Sequence, residues 1–256
     1  MMWQIMRWSY GWIILLLWLA AMPGHGQQKH FKVLAFYSTN VEKDHVMFAQ
    51  EAMKFYTAHA QLDGFDFAAT SNWDDLNETR LKDIQVVMWL DDFPQTPAQR
   101  AGFEQYMKGG GGWLGFHIAA YNDEGTHWPW FVEFLGGIVF YGNNWPPLPA
   151  LIDVDDKTSP ITRHLPAQFT SPTNEWYIWK PSPRLNKDVK VLLTLDKSNY
   201  PIGLKDTIRG GDVPVMWTNI KYRMVYMNMG HGDKIFTDKL QNQLFEDTLL
   251  WLGRRP

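Results

Sequence analysis

The stretch GGGGWLGFHIAAY, residues 109–121, constrains the fold more than any other part of this chain. Its glycines end a predicted helix, and an apolar strand follows over residues 113–118. His117 lies where that strand is expected to end. Because open α/β sheets bind ligands at the carboxyl ends of their strands, His117 is a candidate for chemistry. A hydrogen-bonded core histidine is the alternative interpretation.

Residues 1–26 have the pattern of a secretory signal peptide. Arg7 precedes the apolar run GWIILLLWLAAM, residues 11–22, and small residues surround the polar break at 24–27. The run is shorter than the ~20 residues of a membrane span, and an uncleaved anchor is the alternative. We therefore expect an exported protein, periplasmic or extracellular, in which residues 27–256 form one domain without membrane attachment.

Composition excludes several classes of protein. The chain has no cysteine, which rules out disulfides, a thiolate nucleophile, cysteine-based zinc sites and a lipoprotein anchor. The formal net charge is −3 and the chain has no lysine or arginine run, so we expect no nucleic-acid partner. No GxSxG motif is present, and the glycine run lacks the GK[ST] ending of a phosphate loop.

In the first half of the chain, apolar runs alternate with segments whose apolar residues recur at helical spacing. Strands are predicted at residues 31–37, 65–69, 84–90 and 113–118, and a helix is predicted from Val46 to Ala60. Thr96, Pro97 and Gln99 form a helix start with a capping box. This order predicts an α/β fold with a doubly wound, mostly parallel sheet and helices on both faces.

The second half is predicted to contain more strands and a final helix. A short aromatic helix is expected near residues 127–135. Strands are expected at residues 151–154, 176–179, 189–195, 213–218 and 223–229. The last helix is expected over residues 238–252, with Leu240, Leu244 and Leu249 inward and Gly253 as its stop.

Three histidines are predicted to follow strands and to converge on one cleft. They are His45, His117 and His231, and glycines flank His231 so that a substrate can approach. Glu175 lies beside Trp176 and Tyr177, where aromatic surroundings can raise the pKa of a carboxylate and suit it to acid–base catalysis. Turn or surface positions are the alternative interpretations.

The same four residues also offer the ligand types of zinc or another divalent metal. No HxH or HExxH spacing is present, so the metal interpretation depends only on the predicted convergence, and the cofactor stays open. Asp91, after the third strand, could reach the same cleft and contact a substrate, although an Asp pair before Phe-Pro is also ordinary turn chemistry.

Tryptophan is unusually common, with 14 in the chain, and several lie in loops rich in glycine, proline and asparagine. Indole rings cover the apolar faces of sugars and also cap hydrophobic cores. We predict a small carbohydrate ligand. The residues expected to bind it, besides Asp91, are Trp113, Tyr121, Trp145, Trp176 and Tyr177.

Four segments resemble one family when taken together. GGGWLGFH at residues 110–117 is similar to the GGGxxGxH signature of ThuA-like (trehalose-utilisation) proteins. The helix and Gly-Gly turn at 130–137, the NEWY motif at 174–177, and PVMW at 214–217 with MGH at 229–231 resemble the segments that follow it. The resemblance covers residues 32–252.

This resemblance implies the flavodoxin-like fold of class I glutamine amidotransferases and a role in carbohydrate metabolism. In amidotransferases a cysteine nucleophile follows the fourth strand, but His117 occupies that neighbourhood and the chain has no cysteine, which excludes a glutaminase. Two features depart from the family: Asn174 stands where an acidic residue is common, and the loop around Trp145 is aromatic.

We therefore expect an enzyme that acts on a disaccharide or keto-sugar. His117 is the central acid–base group, with Glu175 and His231 assisting it and His45 completing the pocket. Isomerisation or elimination beside a ketone suits such a set. Glycoside hydrolysis normally uses two carboxylates, which Glu175 and Asp91 could supply, but the sequence does not give their separation. A non-catalytic sugar-binding protein and a metal-dependent hydrolase are the alternatives.

Overall fold

The computed structural model describes residues 30–123, 125–199 and 212–254. The predicted signal peptide lies outside these residues. The strands are β1 (Lys32–Phe36), β2 (Asp66–Thr70), β3 (Val86–Trp89), β4 (Gly112–Phe116), β5 (Val139–Asn143), β6 (Leu148–Val154), β7 (Gln168–Asn174), β8 (Tyr177–Lys180), β9 (Val189–Leu195), β10 (Pro214–Asn219) and β11 (Arg223–Met227). The α-helices are α1 (Lys43–Asp63), α2 (Glu78–Leu81), α3 (Pro97–Lys108), α4 (Pro129–Leu135) and α5 (Lys239–Arg254).

A nine-stranded sheet forms the centre, in the order β2-β1-β3-β4-β11-β10-β9-β6-β7. The strands from β2 to β11 in that order pair in parallel. The remaining strands pair antiparallel, and β5 and β8 form a separate two-stranded sheet. The predicted α/β fold is thus confirmed, and an antiparallel wing extends its parallel half.

Both faces of the parallel half are covered by helices. In β1, Val33 and Ala35 point to one face and Leu34 points to the other, as the two-residue period of a strand requires. The first face packs against α1 and α5, and the second packs against α3 and α4. Burial on both sides explains why these strands are nearly continuous apolar runs.

Helix α3 begins and ends where local signals predict. The Thr96 side chain accepts a hydrogen bond from the Gln99 N–H, and the Gln99 side chain accepts from the Thr96 N–H, which completes the capping box. Gly109 caps the carboxyl end, so the glycine run ends the helix immediately before β4.

The sequence does not predict two of the antiparallel strands, which are β5 in the two-stranded sheet and β7 at the edge of the central sheet. The sequence of β7, QFTSPTN, mixes polar residues with a proline, and β5 is only half-buried, so neither has a strong apolar pattern. Strand β8 begins at Tyr177 and leaves Trp176 outside it. Within the described ranges, no helix is long and apolar enough to cross a membrane.

Helix α5 differs from its prediction at two residues. Leu240 is 36% exposed and does not point inward. Gly253 does not stop the helix, which continues to Arg254. A Cβ placed on Gly253 would lie 2.2 Å from the ring of Phe31, so close packing against that ring requires glycine here.

We expect Gly253→Ala to destabilise the protein by about 1–3 kcal/mol, because the added methyl group overpacks the contact with Phe31. This outweighs the better helix propensity of alanine, which is worth ~1 kcal/mol. Gly142→Ala is the control, since nothing lies within 4 Å of its added Cβ. Urea unfolding measures both, and equal stability of the two variants would contradict the packing argument.

Candidate active site

Three histidines converge at the carboxyl edge of the parallel strands. His45 lies in the first turn of α1, His117 directly follows β4, and His231 follows β11. Their ring centroids are 5.1 Å apart for His45 and His117, 5.2 Å for His45 and His231, and 5.4 Å for His117 and His231. Glu175 joins them, so that one ligand atom from each of the four residues lies within 4.8 Å of the others.

His117 occupies an unusual backbone conformation. It begins a short 3₁₀ helix and does not end the strand as predicted, and its φ is +46°. A left-handed conformation costs a non-glycine residue roughly 1–2 kcal/mol. Gly230 packs against this turn, since a Cβ there would lie 2.6 Å from the His117 Cβ. The strain and the close approach together aim the imidazole into the cluster.

The hydrogen bonds of His117 define its protonation. Nδ1 lies 2.9 Å from the carbonyl oxygen of Asn228, which can only accept, so Nδ1 carries a hydrogen and donates it. Nε2 lies 3.1 Å from Oε2 of Glu175. A contact this short requires a proton between the two atoms, and the pair therefore shares one proton.

Burial decides which residue of the pair holds that proton. Desolvation, with a smaller contribution from the neighbouring His231, lowers the pKa of His117 to about 3. Desolvation also raises the pKa of Glu175, and the nearby Glu42 adds to this shift. Both shifts favour the neutral pair, in which the shared proton lies on Glu175 and is donated to Nε2 of His117.

The segment around Glu175 is fixed by its neighbours. The Asn143 side-chain amide donates to Oε1 of Glu175. Trp176 is fully buried, its indole N–H donates to the carbonyl of Leu148 at 2.9 Å, and its backbone N–H donates to Oδ1 of Asn144 at 2.6 Å. The last two contacts fix Trp176, the residue that follows Glu175, and therefore also hold the backbone of Glu175 in place.

Asn174 connects Glu175 to the loop that carries His231. Its Oδ1 accepts hydrogen bonds from the N–H groups of Gly230 and His231, both at 3.0 Å, and its amide donates to the Glu175 carbonyl at 2.6 Å. An aspartate could accept the first two bonds but could not donate the third when ionised. Asparagine in place of the family's acidic residue at position 174 therefore adds the hydrogen bond to the Glu175 carbonyl.

His45 is buried without a partner for one ring nitrogen. Its exposure is 7%, and within the described part of the chain Nε2 has no hydrogen-bond partner. Desolvation and the two neighbouring histidines lower its pKa to about 3. His45 is therefore neutral, and its ring is available to a ligand that enters the cluster.

The cluster lies just below an acidic surface. Oε2 of Glu42 is 3.6 Å from Nε2 of His231, and Oδ2 of Asp44 is 3.8 Å from its Nδ1. The Glu42 side chain is 50% exposed, whereas that of His231 is 3% exposed. A ligand that approaches His231 from this side passes two carboxylates.

Tyr177 continues the cluster into a row of aromatic rings. Its ring centroid lies 3.9 Å from that of His117. Phe140 follows at 4.8 Å from Tyr177, and Tyr121 lies 5.0 Å from Phe140. Tyr121 and Phe140 are half-buried, so part of each ring is accessible.

The other predicted binding residues have different surroundings. Trp113 and Trp176 are fully buried in the core, where neither ring offers a face to a ligand, and this corrects the prediction for both. Trp145 is 62% exposed. Asp91 is fully buried after β3, where its Oδ1 accepts from the Ser38 N–H at 2.7 Å and its Oδ2 has no partner among the described residues.

Sequence reasoning missed the asparagines that position the site. The sequence gives no reason to expect Asn143 or Asn228 in the site, and Asn174 differs from the family pattern there. Asn228 also ties β8 to β11, since its amide accepts from the Tyr177 N–H at 3.1 Å and donates to the Tyr177 carbonyl at 2.9 Å. Their only sequence signal is a polar residue near the end of a predicted strand.

The burial of Asp91 predicts that the free energy of unfolding depends on pH. Burial raises its pKa to about 8, whereas an unfolded chain gives ~3.9. Between these values the folded state keeps a proton that the unfolded state lacks, so this residue's contribution to stability falls as pH rises. We expect Asp91→Asn to gain stability over the wild type from pH 5 to pH 8, by at most about 1.4 kcal/mol per pH unit. Urea unfolding at several pH values measures the difference in stability between Asp91→Asn and the wild type. A difference that does not change with pH would contradict the raised pKa of Asp91.

Comparisons with known proteins agree with this architecture. The family model for ThuA, trehalose utilisation, matches residues 32–252. A protein from Bacteroides uniformis described as ThuA-like has 51% identity and a TM-score of 0.84, over 87% of this chain and 91% of that one. A ThuA-like protein from Parabacteroides merdae has 15% identity and a TM-score of 0.64, over 88% and 90%. 

A protein from Thermoplasma acidophilum described as a GMP synthase subunit has 10% identity and a TM-score of 0.51, over 88% of this chain and 94% of that one, and shares the fold alone. A search of curated proteins found no match. The flavodoxin-like α/β architecture predicted from the sequence is thus shared with these structures. The chain belongs to the ThuA-like family, the family of trehalose utilisation.

Proposed function

We propose that this protein is an enzyme acting on a disaccharide or keto-sugar, with its reaction centre at His45, His117, His231 and Glu175. Membership of the ThuA-like family indicates carbohydrate metabolism. The observation that carries the proposal is the buried pair of His117 and Glu175, whose Nε2 and Oε2 atoms lie 3.1 Å apart.

Such a pair combines a base with an acid. His117 Nε2 takes a proton from the carbon beside a ketone, and Glu175 gives its proton to the ketone oxygen, which yields an enediol. Return of the two protons at other positions completes an isomerisation, and loss of a leaving group from the enediol completes an elimination. The buried part of the cluster contributes one carboxylate against three histidines, which favours this chemistry over glycoside hydrolysis with two carboxylates.

The row of aromatic rings supports a sugar as the ligand. Tyr121 and Phe140 extend from Tyr177, which itself contacts His117. Apolar faces of sugar rings stack on such surfaces. We place the sugar along this row, with its reactive carbon at His117, and the exposed Trp145 as a further contact.

We expect Glu175→Gln and His117→Ala to lower kcat by about 10²–10⁴-fold, the usual contribution of acid–base catalysis. Glutamine keeps the shape of Glu175 and can donate to His117, but it cannot transfer a proton, so the fold should be retained. Mass spectrometry of products from a panel of disaccharides and their keto derivatives measures turnover.

His164→Ala is the matched control. His164 is exposed, and its partner is Asp247, which is not a residue of the cluster. It should keep full turnover. Unchanged kcat in Glu175→Gln and His117→Ala would overturn the assignment. Saturable binding of a sugar without turnover by the wild type would show a carbohydrate-binding protein instead.

The proposal includes export from the cytoplasm. Its support is the basic Arg7 followed by the apolar run at residues 11–22, both outside the described residues. We expect chain expressed with these residues to be recovered outside the cytoplasm and shortened near residue 26. Fractionation with intact-mass measurement tests this, and full-length chain that stays in the cytoplasm would contradict it.

A further inference from the structure

We propose that His45, His117, His231 and Glu175 bind one divalent transition-metal ion of the zinc type through three nitrogens and one oxygen. This deepens the proposed function, because it uses the same cluster. The ion takes the place of the proton that His117 and Glu175 share, and that proton leaves to solvent when the ion binds.

The first support is the arrangement of the rings. The three imidazoles form a nearly equilateral triangle with centroid distances of 5.1, 5.2 and 5.4 Å, contributed by three separate parts of the chain. Four ligand atoms lie within 4.8 Å of one another. Tetrahedral coordination with bonds of ~2.1 Å separates ligand atoms by about 3.4 Å, so small side-chain shifts complete the site.

The second support is how His117 is held. Metal-binding histidines usually donate their other ring N–H to a carbonyl or carboxylate, which fixes the tautomer and turns the bare nitrogen to the ion. The Nδ1–H of His117 donates to the Asn228 carbonyl at 2.9 Å, and its bare Nε2 faces Glu175. The neighbour that orients a ligand histidine is therefore already in place.

The third support is the unpartnered nitrogen of His45. A buried polar atom without a hydrogen bond costs about 1–3 kcal/mol, and folded proteins rarely leave one unexplained. His45 is 7% exposed, and no described residue pairs with its Nε2. Rotation of this ring toward the centre of the triangle gives that nitrogen a partner if an ion binds there.

Charge around the cluster also favours a cation. Carboxylate oxygens of Glu42 and Asp44 lie 3.6 and 3.8 Å from ring nitrogens of His231. Within the described ranges, neither carboxylate forms an ion pair with lysine or arginine. Uncompensated negative charge at the mouth concentrates cations there.

The donor set selects the class of ion. Imidazole nitrogens suit zinc, iron, nickel and copper, whereas calcium and magnesium prefer all-oxygen sites. A second group, His59, Asp63 and Glu246, is a poorer candidate, since His59 Nδ1 already lies 3.2 Å from Asp63 and 3.6 Å from Glu246. It nevertheless provides a control for adventitious binding.

Calorimetric titration of the chelator-treated full chain with zinc chloride, and in parallel with manganese and nickel chlorides, tests the proposal without any substrate. We expect one high-affinity ion per chain. His45→Ala and His231→Ala should each weaken binding by at least ~100-fold, because loss of a single outer-sphere partner already costs 10–100-fold. His59→Ala should bind as the wild type does.

Cobalt absorption of the unmutated chain covers the case in which a variant fails to fold. Visible bands that differ from those of aqueous Co²⁺ and disappear on adding one equivalent of zinc support the site. Absence of stoichiometric binding to the wild type, or loss of binding in His59→Ala alone, overturns it. 

These outcomes separate the two proposals. Turnover by chelated protein that binds no ion overturns the metal centre and leaves the proposed enzyme. A bound ion without turnover of any sugar in the panel supports the metal centre and overturns the proposed enzyme.

Discussion

The hydrogen bond from His117 Nδ1 to the Asn228 carbonyl is the contact on which the rest of the site depends. It joins the ends of two parallel neighbours, β4 and β11, whose register brings Phe116 opposite Met227. The bond holds a left-handed residue at the end of β4 and fixes the tautomer of its ring. A histidine with the opposite tautomer would present a hydrogen to Glu175, and its lone pair would lie on Nδ1, away from the centre of the cluster.

Burial gives the cluster its chemistry, and no lysine or arginine in the described part of the chain pairs with it. Desolvation lowers the pKa of His45 and His117 and raises that of Glu175, which favours the neutral form of all three residues. Folding gains little from such an arrangement, because hydrophobic side chains would fill the same space without desolvation of polar groups. Asparagine side chains compensate part of this cost, and Asn174 does so by linking Glu175 to the His231 loop.

The sequence predicts the parallel half of the fold well because strands covered on both faces are continuous apolar runs. The prediction fails in β7, where polar and apolar residues are mixed. It also fails at His117, because Ile118 and Ala119 continue the apolar sequence of β4 and conceal the turn that follows the strand. Histidines after strands were a usable signal for the site. The asparagine partners and the burial of Trp113 depend on contacts between distant segments, and single residues do not encode them.

The ¹⁵N NMR spectrum of histidine-labelled, chelator-treated protein at neutral pH shows which ring nitrogen of His117 carries a hydrogen, with His117→Ala used to assign the signals. We expect a neutral His117 with a protonated Nδ1 and an unprotonated Nε2. An imidazolium, or a ring protonated at Nε2 alone, would contradict this expectation, because His117 would then have no lone pair facing Glu175.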